Sequence, residues 1–522
     1  MSQLDVLAET VKLARFLGTT ADALGYLRAL DARQLRTLRE VLSAAEFARS
    51  RPMFTRVTQA SRLLPNALVA LIGEKVFGAV LCARIAGLMP ADRAVDLAAK
   101  MPDAFLADVA VELDPASARE VIAAMPAHRV VAIALILVQR GDFITMGRFV
   151  GYLRDTVIAA AITAITSDEA LLRTAFFIES KDKLNALIGL LPEARLRSSI
   201  RLAADDRHGL WTEALSLMDH ASREWKGRIG DLAAAEDASV LGGMLEAAQR
   251  LQVWDAVLPI VSCMSEANQR KVASLPGLAS AEVLRSIIDA AERHGLWAEL
   301  LPLVGHMHEG ARRTAAQVVE HLPRTVLLKL LSVANQRALW PDLVSILQLM
   351  DDDERRNVVR LIGEQDESVL KALLEAMDRA RLWGEVLPLL RDMGESARRT
   401  AARLLPHFPQ PVLLRLIDTT DRLGLWPDLL AIASDMGEPE LDTVATLIAQ
   451  QDRAVLDHLI ASTEAQNLWP QLLPIVSRLG DDTLKRAADT LRARLPALEV
   501  QARKLGVWDR LTALLPDITR PA

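Results

Sequence analysis

Basic residues that could bind an acidic ligand occur in doublets at regular intervals along the chain. The doublets are Arg312 and Arg313, Arg355 and Arg356, and Arg398 and Arg399, each 43 residues from the next. The second arginine of each follows an acidic residue four positions earlier, an order that favours an ion pair along one helix. We expect the first arginine to lack such a partner, so that three of them form a basic stripe. Guanidinium groups suit bidentate binding of carboxylates or phosphates, so the stripe is a candidate contact for a protein partner, a phosphate or an anionic membrane surface. The alternative is a solvated face.

An acidic residue recurs with the same spacing, twelve residues after a tryptophan. The acids are Glu266, Glu309, Asp352, Glu395, Glu438 and Asp481, and four positions later stand Arg270, Arg313, Arg356, Arg399, Asp442 and Lys485. Pairs of this kind stabilise a helix by about 0.2–0.5 kcal/mol each and indicate a solvated face.

One copy breaks this rule, because its acidic residues have no basic partner in the sequence pattern. They are Asp435, Glu438, Glu440 and Asp442. Carboxylates suit calcium or magnesium, but the stretch lacks the ligand spacing and the turn glycine of a calcium loop. The pattern therefore favours a plain acidic patch.

The histidines are concentrated at His306 and His308, beside Glu309, with His294 and His321 nearby in the sequence. Two of them could bind zinc or nickel, but no known ligand spacing supplies the remaining ligands. We expect no metal site here.

Motifs for catalysis and for cofactors are missing from the sequence. The two cysteines, Cys82 and Cys263, exclude a disulfide framework and a cysteine-rich zinc site and fit a reducing compartment. Glycine-rich phosphate loops, a GxSxG elbow and HExxH are absent. The sequence predicts no catalytic residue, no cofactor and no metal, and therefore a protein that is not an enzyme.

Tryptophans reveal the elements that must position these side chains. Trp211, Trp254, Trp297, Trp340, Trp383, Trp426 and Trp469 are 43 residues apart, and Trp508 follows 39 residues later. Aromatic rings in a row could form a platform for a ligand. One Trp at the same phase of each copy, flanked by an aliphatic residue, is what packing between consecutive repeats requires. We interpret all eight as structural repeat markers.

One copy, residues 383–425, contains three segments with helical apolar spacing. The first ends at Met393, the second is stopped by Pro406, and the third follows Pro411 and ends at Gly424. Pro388 and its counterparts are predicted to lie early in the first helix, where a missing N–H costs least. No segment alternates as a strand does, so the fold class is predicted to be all-α.

Repeats of about 40–47 residues with two or three helices are typical of HEAT and armadillo proteins, which residues 170–522 resemble. The resemblance implies a superhelical α-solenoid of about 43-residue three-helix repeats, in which each repeat contacts only its neighbours.

Residues before about 200 have a different composition and punctuation. Nine of the ten Phe and both Tyr lie there, and prolines at 90, 102, 115 and 126 predict helices of eight or nine residues. The stretch FLADVAVELDPASAREVIAAMP resembles the cytosolic N-terminal domain of MgtE-type magnesium transporters, which implies a superhelix of short helices over about 60–200. No ion-binding residue is carried over from that family, and neither is transport.

The predicted domains are an N-terminal helical segment at 1–60, a short-helix superhelical domain at 61–205 and the Trp-marked repeats at 206–522. Residues 1–50 are predicted to be helical, and Ser50 to Pro65 a connecting segment. No stretch is apolar over the roughly 20 residues that a membrane span needs, and the acidic N-terminus does not resemble a secretory signal. We expect a soluble, cytoplasmic protein.

The net charge is −6, with a pI near 5.9, which argues against nucleic acid as a partner. The sequence favours a scaffold or adaptor that binds protein partners in a solenoid groove, with possible peripheral contact with a membrane protein or anionic surface. One alternative is a cytosolic regulatory module that senses a divalent cation or an anionic lipid. Another is an enzyme with an unrecognised site.

Overall fold

The computed structural model describes residues 3–61 and 63–487, together with residues 499, 502–504, 506, 508, 509 and 512. Within these described residues the fold is all-α, with helices and no strand, which confirms the predicted fold class. None of the described helices combines the length and apolar character needed to cross a lipid bilayer.

The chain divides into two compact units, Met1–Gly277 and Leu278–Ala522. The boundaries predicted near residues 60 and 205 both fall inside the first unit and stay predictions. The helices of the first unit are α1 Gln3–Phe16, α2 Ala32–Ser61, α3 Asn66–Ile72, α4 Gly78–Ala86, α5 Ala91–Ala98, α6 Asp103–Glu112, α7 Arg119–Ala124, α8 Ala127–Gln139, α9 Phe143–Val150, α10 Asp155–Ala164, α11 Asp168–Phe176, α12 Leu184–Gly189, α13 Glu193–Ala204, α14 Trp211–His220, α15 Arg223–Ala234, α16 Ala238–Leu251, α17 Trp254–Val261 and α18 Glu266–Ala273. Short 3-10 helices span Asp22–Ala29, Lys181–Lys183, Asp206–His208 and Pro276–Ala279, and a π-helical turn spans Gly73–Phe77.

Prolines mark the start of three short helices of the first unit. Pro90, Pro102 and Pro126 immediately precede α5, α6 and α8, with ψ of 139°, 143° and 140°. The fixed φ of proline is compatible with an extended residue just outside a helix, and the missing N–H is not needed there. Short helices follow one another here as predicted, but α5, α6 and α7 have 8, 10 and 6 residues and not a uniform eight or nine.

The connecting segment predicted between Ser50 and Pro65 is wrong, because α2 continues through Pro52 to Ser61. Proline removes one backbone hydrogen bond from a helix interior. Beyond it, Phe54 and Thr58 are both buried on α2. The packing of that face outweighs the local preference of proline to end a helix.

The second unit contains helices in a recurring order of three. They are α19 Ala281–His294, α20 Trp297–His306, α21 Glu309–Glu320, α22 Arg324–Arg337, α23 Trp340–Leu347, α24 Asp352–Gly363, α25 Glu367–Ala380, α26 Trp383–Asp392, α27 Glu395–Leu404, α28 Gln410–Leu423, α29 Trp426–Ala433, α30 Glu438–Ala449, α31 Arg453–Ala465, α32 Trp469–Val476 and α33 Asp481–Arg486, with a 3-10 turn at Leu405–His407. The three segments predicted for residues 383–425 are α26, α27 and α28.

Contacts within the second unit are local in sequence. Helix α26 packs against α27, α28 and α29, and α20 packs in the same way against α21, α22 and α23. The apolar residues that line these contacts, such as Leu343 and Leu387, are fully buried. The sequence analysis placed Pro388 early in the first helix of the copy. Pro388 is the sixth residue of α26 and lies in its second turn.

The residue two positions before each marker Trp has a left-handed backbone. These residues are Gly209, Gln252, Gly295, Ala338, Arg381, Gly424, Asn467 and Gly506, with φ between 53° and 70°. The next N–H then returns to a carbonyl five positions earlier, as from Leu339 to Ala334 O at 2.8 Å. This is the cap that commonly ends a helix in a left-handed residue, and it fixes the turn that leads into each Trp.

Candidate functional site

The marker tryptophans are packing residues in the described structure. Trp254, Trp297, Trp340, Trp383, Trp426 and Trp469 are buried, and Trp211 and Trp508 are half-buried. Trp340 has no exposed surface at all. A ring must present a face to a ligand in order to act as a stacking platform, so this burial supports the structural interpretation.

Five of the marker tryptophans donate the indole N–H to a side chain that the sequence analysis missed, whereas the buried Nε1 of Trp211 has no acceptor among the described residues. The acceptor lies five residues before the Trp, on the helix that precedes it. The acceptors are Gln249 for Trp254, Glu292 for Trp297, Asn335 for Trp340, Asp378 for Trp383 and Asp421 for Trp426, at 3.0–3.4 Å. Every acceptor carries a side-chain carbonyl or carboxylate oxygen, a regularity that alignment of the copies in the sequence would have revealed.

In the second unit, the three carboxylate acceptors given above also bind a basic side chain 37 residues further on. The pairs are Glu292 with Lys329, Asp378 with Arg415 and Asp421 with His458. Asn335 is neutral, and the residue 37 positions after it is Ala372. Among these four acceptors, each acid has a basic partner and the amide has an alanine at the corresponding position.

The arginine doublets are paired differently from the sequence expectation. Arg313 and Arg399 bind the acid four residues earlier, as expected, and Arg356 binds Asp353 instead. The expectation that all three first arginines are unpaired is wrong. Arg355 binds Asp352 at 2.6 Å and Arg398 binds Asp435 at 3.0 Å, because acidic side chains of the same helix or of the next copy come within reach.

Arg312 differs from the other five arginines. It forms no ion pair with any part of the chain that the structure describes, and its Nε is buried without a hydrogen-bond acceptor. It lies on α21 and the residue as a whole is half-buried.

The acidic patch at 435–442 has basic partners after all. Arg478 of the following copy lies 3.2 Å from Glu438 and 3.0 Å from Asp442, and Arg398 of the preceding copy binds Asp435. The sequence pattern compared only positions within one copy and therefore missed both arginines. Their charges oppose the binding of a cation at this patch.

The histidine cluster is dispersed among helix ends. His308 caps α21, accepting a hydrogen bond at Nδ1 from the N–H of Ala311 at 3.2 Å, and His321 Nδ1 lies 2.8 Å from Gln317 O. Among the described residues, no group of three or more His, Cys, Asp or Glu side chains is arranged to hold a metal ion.

A polar pocket of about 710 Å³ in the first unit was not anticipated from the sequence. It lies between α1, α2, α14 and the turn after α11. Its lining includes Asp5, Glu9, Lys12, Arg36, Glu179, Lys181 and His220. The sequence gives little indication of this pocket, because its charged residues come from four segments far apart in the chain.

Buried ion pairs hold this pocket together. Glu9 and Lys12 are each 3% exposed and pair at 2.8 Å, and Arg36 reaches Glu9 at 3.0 Å. Burial alone would raise the pKa of Glu9, but the adjacent cations lower it below its ordinary value. Burial lowers the pKa of Lys181 to about 8, against the attraction of Asp5.

The comparisons with known proteins leave the family of the chain open. No family model matches it, and no curated protein does. A solved structure described as an engineered protein matches 88% of this chain and 100% of its own, at 15% identity and a TM-score of 0.17. A likeness with that TM-score carries no argument. No matching family model supports the resemblance of residues 60–200 to the magnesium transporter domain.

Proposed function

We propose that this chain is a non-enzymatic adaptor that binds acidic segments of protein partners. Its framework would be the 43-residue, three-helix copies, stacked as a superhelical α-solenoid of HEAT or armadillo type. Three features support the stacking: a marker Trp opens the first helix of each copy, the same left-handed cap precedes it, and α20 and α26 contact the next three helices in the chain. Stacked copies repeat their surface as well as their core, which suits an extended partner.

Arg312 is the observation that carries the proposal. Its charge is not compensated by an acid in the part of the chain that the structure describes, whereas the other five doublet arginines each bind one. A carboxylate from a partner would pair with the only one of the six doublet arginines that lacks an acid within the described residues.

The neighbouring arginines can contribute to the same contact. Arg313, Arg356 and Arg399 are more than half exposed, and so are the acids that they bind. Exposed ion pairs contribute little to stability, so these arginines can exchange an internal acid for one from a partner at small cost. The contact would weaken with added salt.

The test is the binding of a fluorescent oligoglutamate peptide, followed by anisotropy at several salt concentrations. We expect Arg312→Gln to weaken binding more than Arg324→Gln, an exposed arginine of α22 that is paired with Glu364. A pull-down with mass spectrometry, run in parallel on both variants, would identify the natural partner. Equal binding by the two variants, or binding by neither the variants nor the unaltered chain, would contradict the proposal.

Two other functions stay open as predictions. A module that senses an anionic lipid is favoured by an apolar surface of the first unit, which carries the inference below. An enzyme would have to place its chemistry in the polar pocket, where Lys181 has a lowered pKa and can act as an amine near neutral pH.

A further inference from the structure

An apolar cavity of about 260 Å³ lies inside the first unit. Its walls include residues from every helix between α2 and α11, among them Val69, Leu106, Ile133 and Ile162. Because the lining residues come from so many helices, an extended apolar ligand such as a single alkyl chain would contact several of them.

The cavity offers no spare hydrogen bond to a polar ligand. Its polar wall residues with hydroxyl or thiol groups are Ser61, Cys82 and Thr174. Each already bonds within the protein: Ser61 Oγ to Thr58 O at 2.7 Å, Cys82 Sγ to Gly73 O at 3.4 Å and Thr174 Oγ1 to Met146 Sδ at 3.7 Å. A polar occupant would lose its hydration without compensation, so the walls select an apolar one.

An exposed apolar surface adjoins the cavity, and we call it the apolar rim. It consists of Met53, Leu63, Leu64, Leu68, Leu71, Val76, Phe77 and Val80. These are eight of the 18 large apolar side chains that are exposed in the described structure, and all eight lie within residues 53–80; six of the other ten lie within residues 7–42. Concentrated exposure of this kind marks a contact with a membrane or another protein.

Phe77 connects the rim to the cavity. It ends the π-helical turn Gly73–Phe77, lines the cavity and is 39% exposed. Single π-helical turns are rare and occur often at functional sites. The segment is therefore apolar on both sides: Val69 and Gly73 face the cavity, while Leu71 and Val76 face solvent.

The segment that carries the rim is basic in sequence although the chain as a whole is acidic. Residues 49–84 contain six basic residues but only one acid, Glu74, in a chain of net charge −6. Arg51, Arg56 and Lys75 are exposed, and Lys75 pairs with Glu74 at 2.6 Å. Clustered basic residues beside an apolar surface attract anionic lipid headgroups.

We propose that the apolar rim docks on an anionic lipid bilayer and that the cavity takes up one alkyl chain of a bilayer lipid, which enters past Phe77. The rim supplies the apolar contact, the basic residues supply the attraction to the headgroups, and the apolar walls of the cavity contact the chain. This inference concerns the first unit and does not depend on the adaptor role of Arg312.

The two cysteines provide a test within the full chain. Cys82 lines the cavity, whereas Cys263 follows α17 and does not. Burial raises the pKa of Cys82 to about 11, so its alkylation by N-ethylmaleimide is slow and can be timed. Cys263→Ser reports Cys82 alone, and Cys82→Ser reports Cys263 alone.

We expect vesicles of phosphatidylglycerol and phosphatidylcholine in equal parts to slow the alkylation of Cys82 several-fold. Cys263 should react at an unchanged rate, and pure phosphatidylcholine vesicles should affect neither cysteine. Unchanged alkylation of Cys82 on vesicles that carry the protein down in a sedimentation assay would overturn the uptake of a chain. Failure to sediment with anionic vesicles would overturn the whole proposal.

Variants separate docking from uptake. Val76→Ser together with Leu71→Ser should reduce sedimentation with anionic vesicles, and Leu423→Ser, an exposed leucine of the second unit, should not. Ala134→Leu narrows the cavity and should remove the protection of Cys82 while sedimentation persists, with circular dichroism confirming that each variant is folded. If the unaltered chain is a dimer, and the rim variant is monomeric but still binds vesicles, the rim is a self-association surface and the proposal is overturned.

Discussion

Trp383 donates its indole N–H to Oδ1 of Asp378 at 3.0 Å, and the same carboxylate accepts a hydrogen bond from Arg415 at 2.7 Å. Asp378 is largely buried, with 13% of its side chain exposed, so its charge needs both partners. One carboxylate of the preceding copy thereby binds both a core side chain and a surface cation of residues 383–425.

The role of Asp378 predicts a graded response to substitution. Asp378→Ala leaves the buried indole N–H of Trp383 without an acceptor and should lower the free energy of unfolding by about 1–3 kcal/mol. Asp378→Asn keeps an acceptor, as Asn335 does beside Trp340, and should cost less. Urea denaturation of both variants measures the difference. An equal loss from both would mean that the ion pair with Arg415 matters and the indole bond does not.

Removal of a marker Trp should destabilise the chain, because the ring packs in the core and does not bind a ligand. Trp340 is fully buried, so Trp340→Ala should cost about 3–5 kcal/mol. Leu423→Ala, at a half-exposed position, is the matched control and should stay within about 0.5 kcal/mol. Thermal unfolding followed by circular dichroism tests this. An unchanged melting temperature for the Trp340 variant would favour the platform interpretation.

The left-handed residues before each Trp predict that two substitutions change the stability of the protein in opposite directions. Ala338 has φ of 57°, a conformation that costs an L-residue about 1–2 kcal/mol, so Ala338→Gly should stabilise the protein. Gly295 has φ of 70° at the equivalent position and a Cβ there meets no neighbour within 4 Å, so Gly295→Ala should destabilise it by backbone strain alone. Urea midpoints of the two variants should therefore shift in opposite directions.

The buried ion pairs of Glu9 predict a large loss of stability when its charge is removed. Glu9→Gln leaves Lys12, Arg36 and Arg39 with less compensating charge and should cost about 3–5 kcal/mol, as is typical when one partner of a buried pair is removed. The exposed pair of Glu266 with Arg270 offers a control, since Glu266→Gln should cost less than about 1 kcal/mol. If Glu9→Gln proves as mild as that control, water must reach the pocket and screen its charges.

Lys181 predicts a pH dependence of stability. It faces Asp5, Glu9 and Lys12 of α1 and Arg36 of α2, and Phe176 O accepts its hydrogen bond at 3.3 Å. Its pKa of about 8 is lower than that of an unfolded lysine, about 10.4. The unfolded chain therefore binds more protons between these values, and stability rises with pH there.

The measurement is the free energy of unfolding from pH 7 to pH 10 for the unaltered chain and for Lys181→Met. We expect the free energy of unfolding of the unaltered chain to increase relative to that of Lys181→Met as the pH rises, because the buried amine of Lys181 loses its charge. Cys82 titrates in both proteins, so its effect cancels. Parallel curves would show that Lys181 is solvated in the folded state.

Local patterns were predictable from the sequence, and contacts between distant segments were not. The helices of residues 383–425 follow from apolar spacing, Pro406 and Gly424, which act over a few residues. The pairing of Arg398 with Asp435, and of Arg478 with Glu438, depends on how one copy faces the next. The polar pocket depends on the packing of α1 against α2 and α14, which no spacing along the chain reveals.

The acceptors differ from copy to copy, which has a consequence for the order of the copies. Removal of residues 297–339 would delete 43 residues and bring Glu292 into the sequence register of Ala372 in place of Lys329. The half-buried carboxylate of Glu292 would then lose its lysine partner. The copies are alike in outline, but the pairs between consecutive copies make their order matter.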